Sequence, residues 1–249
     1  MSWETLGESV AGTSHLARDT PCQDAFRVRT YGPAGDWLLV AVADGAGSAL
    51  HAEVGADLAC DEFVRLVARA DPGAFGTRDE IVGLFTGARA ALADRAGALG
   101  VRPRELACTA LVALIGPESA AFAQVGDGAL VFSTEHGAGY QVMFWPDLAE
   151  YANVTDFLTD ARFETALRVE FVAEPVLELA VLTDGLQRLA LDFATRTPHP
   201  AFFAPLFRQL RSGTDTEALY EPFRQFLNSP RVNERTDDDK TLVLAARRS

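Results

Sequence analysis

Two of this chain's aspartates end strongly apolar runs in the same way: WLLVAVADGAG reaches Asp44-Gly45, and LELAVLTDGLQ reaches Asp184-Gly185. An apolar strand that delivers a carboxylate into a glycine turn carries the desolvation cost of a charge unless a cation meets it. Three more aspartates stand in comparable places: Asp24 just before an apolar run, Asp127 in the turn Gly126-Asp127-Gly128, and Asp238 just before the final run TLVLAA. If those strand ends converge on one rim, oxygen donors without His or Cys suit Mg²⁺ or Mn²⁺ rather than zinc or copper. Two such ions about 3.5 to 4 Å apart, bridged by one carboxylate, would lower the pKa of a shared water and neutralise a phosphate oxyanion during in-line attack. Other readings stand beside this one. Gly-Asp-Gly at 126–128 also reads as an ordinary hairpin turn, and Asp237 to Asp239 as a charged gatekeeper before an apolar strand. Asp44 and Asp184 anchor the metal reading, because turn chemistry alone does not require the same buried approach twice.

The elements that must position these residues follow from the apolar pattern. Runs near 25–31, 37–43, 106–115, 119–126, 128–134, 139–144, 177–183 and 240–246 are rich in Val, Leu, Ala, Phe and Thr and bounded by Gly, Pro or Asp, as strands are. Most are nearly continuously apolar, which predicts strands covered on both faces. Gly116-Pro117, Gly126-Asp127-Gly128 and Gly137-Ala138-Gly139 predict an antiparallel meander through the runs they join. Helical patterns are predicted near 49–69, with Leu50, Val54, Leu58, Leu66 and Val67 on the buried stripe, and near 78–99, with Ile81, Leu84, Phe85, Ala88 and Leu92. Pro72-Gly73 stops the first and Gly100 caps the second. Two more helices, near 201–211 and 215–227, carry Phe202, Phe203, Leu206, Phe207 and Leu210, then Leu219, Phe223 and Phe226. The expected fold class is α+β: two stacked, mainly antiparallel sheets between layers of helices, an αββα sandwich.

Composition narrows the function. With 249 residues, 48% of them hydrophobic, and no Ser/Gly or Pro-rich linker, residues 1–249 are expected to form one domain. A net charge of -13 with scattered basic residues argues against nucleic acid or an anionic membrane as partner. MSWETLGESVAG has neither a basic n-region nor an apolar h-region, and no apolar run approaches the ~20 residues of a membrane span, so a cytoplasmic location is expected. Cys22, Cys60 and Cys108 form no CxxC pair and read as small core residues rather than as a disulfide framework or thiolate zinc site.

In order along the chain, GTSHLARDTPCQDAF, VAVADGAGS, CTALVAL, AFAQVGDGALV, LAVLTDGL and DDDKTLVL resemble the metal-dependent serine/threonine protein phosphatases of type 2C, in particular their compact bacterial members. The resemblance extends from about Gly12 to Ala246. It implies hydrolysis of phosphoserine and phosphothreonine on proteins, with two or three Mn²⁺ or Mg²⁺ ions as cofactors, phosphorylated proteins as substrates and a Ser/Thr kinase as functional counterpart. It further implies that Asp44 bridges two ions, that the Gly45 carbonyl ligates one, and that Asp184 and Asp238 complete the other. Asp24 would touch the cluster directly or through water, and Asp127 would hold a weaker third ion with Asp184. The nucleophile would be water, with no side chain in that role.

Several positions depart from the family pattern. Gln23 stands where many members carry Glu, Asp239 where they usually carry Asn, and Ala46 where some carry a His that protonates the leaving group. His51 is a nearby substitute, for which a helix-surface place is the alternative; His15 reads as a structural hydrogen-bonding residue. The family's phosphate-binding Arg slot holds Asp19, which makes Arg18 the candidate clamp. The segment 145–176 takes the place of a mobile flap, and it is short; Asn153-Val154-Thr155 is its distinctive polar feature, with Asp147, Glu150 and Asp156 able to orient substrate or simply to be solvated. These departures leave a catalytically weak phosphoprotein-binding module as the alternative function.

Overall fold

The most apolar runs become the inner strands of two five-stranded antiparallel sheets. In the computed structural model, which describes residues 2–146, 155–213 and 215–248, the strands are β1 (Trp3–Val10), β2 (Asp24–Tyr31), β3 (Trp37–Asp44), β4 (Ala110–Ile115), β5 (Ala120–Val125), β6 (Ala129–Thr134), β7 (Gln141–Val142), β8 (Arg168–Val172), β9 (Val176–Leu182), β10 (Leu191–Asp192), β11 (Thr197–Pro198) and β12 (Lys240–Arg247). One sheet has the order β1-β12-β9-β6-β7 and the other β2-β3-β4-β5-β8, while β10 and β11 pair separately. The helices are α1 (Thr13–Leu16), α2 (Ala52–Val67), α3 (Arg78–Leu99), α4 (Phe163–Ala166), α5 (Gln187–Ala190), α6 (Pro200–Leu210), α7 (Glu217–Leu227) and α8 (Pro230–Asn233).

Side-chain alternation along β3 shows how the layers form. Leu38, Val40 and Val42 pack between the sheets with Leu111, Phe122, Leu130, Val181 and Val243. Leu39, Ala41 and Ala43 turn the other way, onto α2 and α3 through Phe63, Ile81, Phe85 and Leu92. On the far side, α6 and α7 press Phe203, Phe207, Leu219 and Phe223 onto Leu182, Leu242 and Leu244. The result is the expected αββα sandwich.

Four expectations are corrected. First, β1 and β8 were not anticipated: both are edge strands, and WETLGESV and RVEFV carry the polar residues that an edge tolerates and an inner strand does not. Second, the run near 106–115 is strand only from Ala110, because Pro103–Leu106 form a 3₁₀ turn and Cys108 makes an isolated bridge to Gly45. Third, Gly126-Asp127-Gly128 is not a hairpin. β5 already pairs with β4 and β8, so the chain crosses here from one sheet to the other to enter β6. The Gln124 side-chain amide holds this crossing by donating to the carbonyls of Gly126 and Gly128. Fourth, the buried stripe of α2 is Ala52, Gly55, Ala56, Ala59, Cys60, Phe63 and Val67, whereas Leu50 precedes the helix and is exposed. Small residues win because the helix approaches the 3₁₀ turn closely: a Cβ at Gly55 would lie 2.2 Å from the Leu106 carbonyl oxygen.

A similar close approach joins two of the aspartate motifs. A Cβ at Gly185 would lie 2.1 Å from the carbonyl oxygen of Asp239, a backbone atom with little room to yield. Gly185→Ala is therefore expected to cost about 3 kcal/mol of stability through overpacking. Urea unfolding measures it, and a loss below about 0.5 kcal/mol, the range of ordinary surface changes, would show that the two segments can separate freely.

Candidate active site

Antiparallel pairing of β2 with β3 sets Asp24 opposite Asp44. The period of two that sends Val40 and Val42 between the sheets sends Asp44 to the rim of that same space. From the facing sheet, β9 ends just before Thr183 and Asp184, and β12 begins just after Asp237-Asp238-Asp239. A cleft of about 320 Å³ opens where these ends meet, lined among others by Arg18, Asp44, Gly45, Asp127, Asp184 and Asp238. Asp24 lies behind that lining and is only 8% exposed. The structure thus gathers five of the six residues named for metal, and the clamp candidate Arg18, around one cleft, with the sixth, Asp24, behind them.

Hydroxyls and backbone groups fix this arrangement. Asp24 Oδ2 accepts from Thr183 Oγ1 and Thr241 Oγ1, each at 2.8 Å, so a carboxylate of one sheet is tied to two threonines of the other. Thr109 Oγ1 accepts from the Asp44 amide at 2.9 Å, and its own amide donates to the Asp44 carbonyl at 2.8 Å. Thr155 Oγ1 donates to Asp127 Oδ2 at 3.0 Å, and the Gln187 side chain donates to the Asp127 carbonyl. Asp239 is buried at 3% exposure and accepts from the amides of Gly12 at 2.7 Å and Gln23 at 2.6 Å, with His15 Nδ1 2.8 Å away. It knits β1's exit, α1 and β2's entry to the start of β12, while the adjacent Asp238 side chain stays exposed at the cleft. Sequence reading did not single out Thr109, Thr183, Thr241 or Gln187. Only Thr183, adjoining Asp184 in LTDG, carried a local cue.

The electrostatics are those of crowded anions. Burial, and then repulsion by Asp24, Asp184, Asp238 and Asp127, pushes the Asp44 carboxyl well above the ordinary carboxylate range. Burial likewise raises Asp24 to about 8 despite its two threonine donors. Asp184 rises to about 6 through burial and the charges of Asp127 and Asp238, partly relieved by a hydrogen bond shared with Asp44. Among the described residues, no three His, Cys, Asp or Glu side chains are already gathered as a metal cage. The donor set nonetheless fits hard cations: it is all oxygen, and Asp24 Oδ1 and Asp184 Oδ1 are buried without a hydrogen-bond partner.

A pH dependence follows for the metal-free protein. Between the ordinary value of 3.8 and the folded values of about 6 and about 8, the folded state binds more protons than the unfolded, so the site's contribution to stability falls as pH rises through that window. In EDTA, melting temperature is expected to drop from pH 5 to pH 8, and Asp24→Asn should flatten the drop. The same slope in both proteins would contradict this.

Other candidates fall into place. His15 is buried with its Nδ1 2.8 Å from Asp239 Oδ2, and Arg18 lines the cleft with its Nε donating to the Ser14 carbonyl. His51 caps α2, with its amide on the Glu105 carbonyl, and does not line the cleft, whereas Ala46 does. Cys60 and Cys108 are buried, as expected of core residues, and burial pushes the half-buried Cys22 thiol far up, which leaves it no thiolate character. Asp156 is exposed; Asp147, Glu150, Asn153 and Val154 lie outside the described residues.

A four-layer sandwich whose strand ends crowd aspartates around an open cleft defines the architecture of a metal-dependent phosphatase. The chain belongs to the protein phosphatase 2C family, which it matches over residues 11–226. Serine/threonine-protein phosphatase 3 of Escherichia coli (strain K12) is 38% identical over 251 residues, covering 98% of each protein. The fold is shared with the serine/threonine phosphatase Stp1 of Staphylococcus aureus, at a TM-score of 0.67 and 15% identity over 100% of this chain and 96% of that one. It is also shared with PppA, a regulatory component of T6SS in Pseudomonas aeruginosa, at a TM-score of 0.64 and 18% identity over 99% and 98%. Among the described residues no helix is long and apolar enough to cross a membrane.

Proposed function

We propose that this chain removes phosphate from phosphoserine and phosphothreonine on proteins, using two or three Mn²⁺ or Mg²⁺ ions held by Asp44, the Gly45 carbonyl, Asp184 and Asp238, with Asp24 and Asp127 completing the set. The observation that carries this reading is the convergence of five acidic side chains from four chain segments, Asp44, Asp127, Asp184 and the pair Asp237-Asp238, on a single open cleft, backed by Asp24, whose Oδ1 is buried without a partner. Bound cations supply an activated water and neutralise charge on the phosphoryl oxygens.

The chain's own groups do the positioning. Thr109 fixes the Asp44 backbone through its amide and carbonyl, and Thr183 with Thr241 hold Asp24 Oδ2, which leaves Asp24 Oδ1 to present. Arg18 lines the cleft as its exposed cation and binds the phosphate of the incoming phosphoresidue, with freedom to adapt because its Nε is anchored only to its own turn. Gln23 lines the cleft as a neutral side chain and so adds no charge to the crowded carboxylates, while its backbone amide donates to Asp239. No histidine stands as leaving-group acid at Ala46, which lines the cleft. Substrates are phosphoproteins, and the functional counterpart is the Ser/Thr kinase that modifies them.

Family membership and the complete aspartate set speak against a module that binds phosphoproteins without turning them over. The test is turnover of p-nitrophenyl phosphate by the purified chain in millimolar Mn²⁺, where an unchanged substrate would contradict the proposal.

A further inference from the structure

The two most exposed large apolar side chains among the described residues both stand beside the cleft: Leu50 at 69% and Leu16 at 64% exposure. Leu16 lies on α1 between His15 and Arg18, which line the cleft, and Leu50 follows Ala46 and Gly47, which line it too. Elsewhere large apolar side chains reach at most 43% exposure, at Phe171. Exposed apolar surface is ordinary when scattered, but here it gathers around one opening.

Leu50 differs from Leu16 in having a built seat. A shallow groove of about 800 Å³, lined by Ser48, Ala49, Leu50, Val101, Arg102 and Glu105, begins where the Gly45–Gly47 wall of the cleft ends. The backbone that presents Leu50 is pinned: Ala49 donates to the Ala46 carbonyl at 2.8 Å, Leu50 to Glu105 Oε2 at 3.4 Å, and His51 to the Glu105 carbonyl at 2.8 Å. A backbone so held loses little further freedom on binding, which favours this segment as a contact. Charge completes the pattern. Arg102 and Arg104 both approach Glu105 Oε1, at 3.3 and 3.2 Å, so two exposed arginines share one carboxylate in a chain of net charge -13.

We infer that the Leu50–Val101 groove is a substrate subsite, which seats an apolar side chain of the phosphoprotein a few residues from the phosphoresidue, with a neighbouring substrate carboxylate met by Arg102 and Arg104. This rests on the proposed phosphatase activity, since the phosphoresidue in the cleft brings the flanking chain over the groove. The groove then selects among phosphoproteins, while the aspartate rim acts on the phosphate ester itself.

The experiment compares kcat/KM for phosphothreonine peptides of one acidic background, each with a single Leu placed at one of three positions on either side of the phosphoresidue, against the peptide without Leu. Wild type is expected to prefer one placement about tenfold, within the range that a small apolar group contributes to selection. Leu50→Asp and Val101→Asp should each erase that preference yet turn over p-nitrophenyl phosphate, which has no flanking residues, at the wild-type rate. A flat response in wild type, a preference that survives both substitutions, or one lost only in Leu16→Asp would overturn the inference. Failure of wild type to hydrolyse p-nitrophenyl phosphate would instead overturn the phosphatase reading itself.

Discussion

Chelation of divalent cations with EDTA is expected to bring phosphate-ester turnover down to the uncatalysed background, and millimolar Mn²⁺ or Mg²⁺ to restore it. The reason lies in what the cleft lacks as much as in what it holds. Five of the residues that line it are aspartates, and neither the histidine nor the cysteine near them is free to act as base or nucleophile. His15 is turned toward Asp239, and the Cys22 thiol is held protonated by burial and by the nearby Asp24 and Asp239. A bare rim of carboxylates would repel a phosphate dianion. Cations reverse that field and lower the pKa of a water from its ordinary value near 15.7 toward about 7. Colorimetric assay of p-nitrophenyl phosphate measures the effect. Full turnover in thoroughly chelated buffer would remove the metal mechanism.

The second large effect is expected at Asp44, which stands opposite Asp24 and shares a hydrogen bond with Asp184. Asp44→Asn keeps the shape of the side chain and removes its charge, and kcat should fall by more than ~10²-fold, as it does when a single preorganised electrostatic group is lost. The same substitution should stabilise the metal-free protein, because it removes one of the mutually repelling buried carboxylates. Opposite signs in activity and in melting temperature would separate a lost catalytic group from a damaged fold. Near wild-type turnover would mean that another residue occupies the centre of the site.

How much of this was legible in the sequence follows from where each residue sits. Inner strands such as β3 and β12 are apolar on both faces, and WLLVAVAD and KTLVLAAR announce themselves. Edge strands β1 and β8 are half solvated, so their composition resembles that of loops. Local pattern also could not say that Gly126-Asp127-Gly128 links two different sheets, because which strands pair is decided by partners distant in sequence. The aspartates were legible because a carboxylate at the end of an apolar strand conflicts with its surroundings. Their supports were not: Thr109, Thr183 and Thr241 are unremarkable in a strand-rich sequence and gain meaning only when folding aims their hydroxyls at Asp44 and Asp24. Asp239 is a further instance. In DDDK it is indistinguishable from its neighbours, yet it is buried and holds two backbone amides while Asp238 faces the cleft.

The most direct test of the account is the fate of a phosphothreonine peptide incubated with the purified protein at saturating Mn²⁺ and recovered for mass spectrometry. The account predicts a product about 80 Da lighter, the mass of HPO₃ lost on hydrolysis of the ester by water, with inorganic phosphate released in equal amount. Recovery of the peptide bound but at its original mass would contradict it and identify the cleft as a recognition site without catalysis.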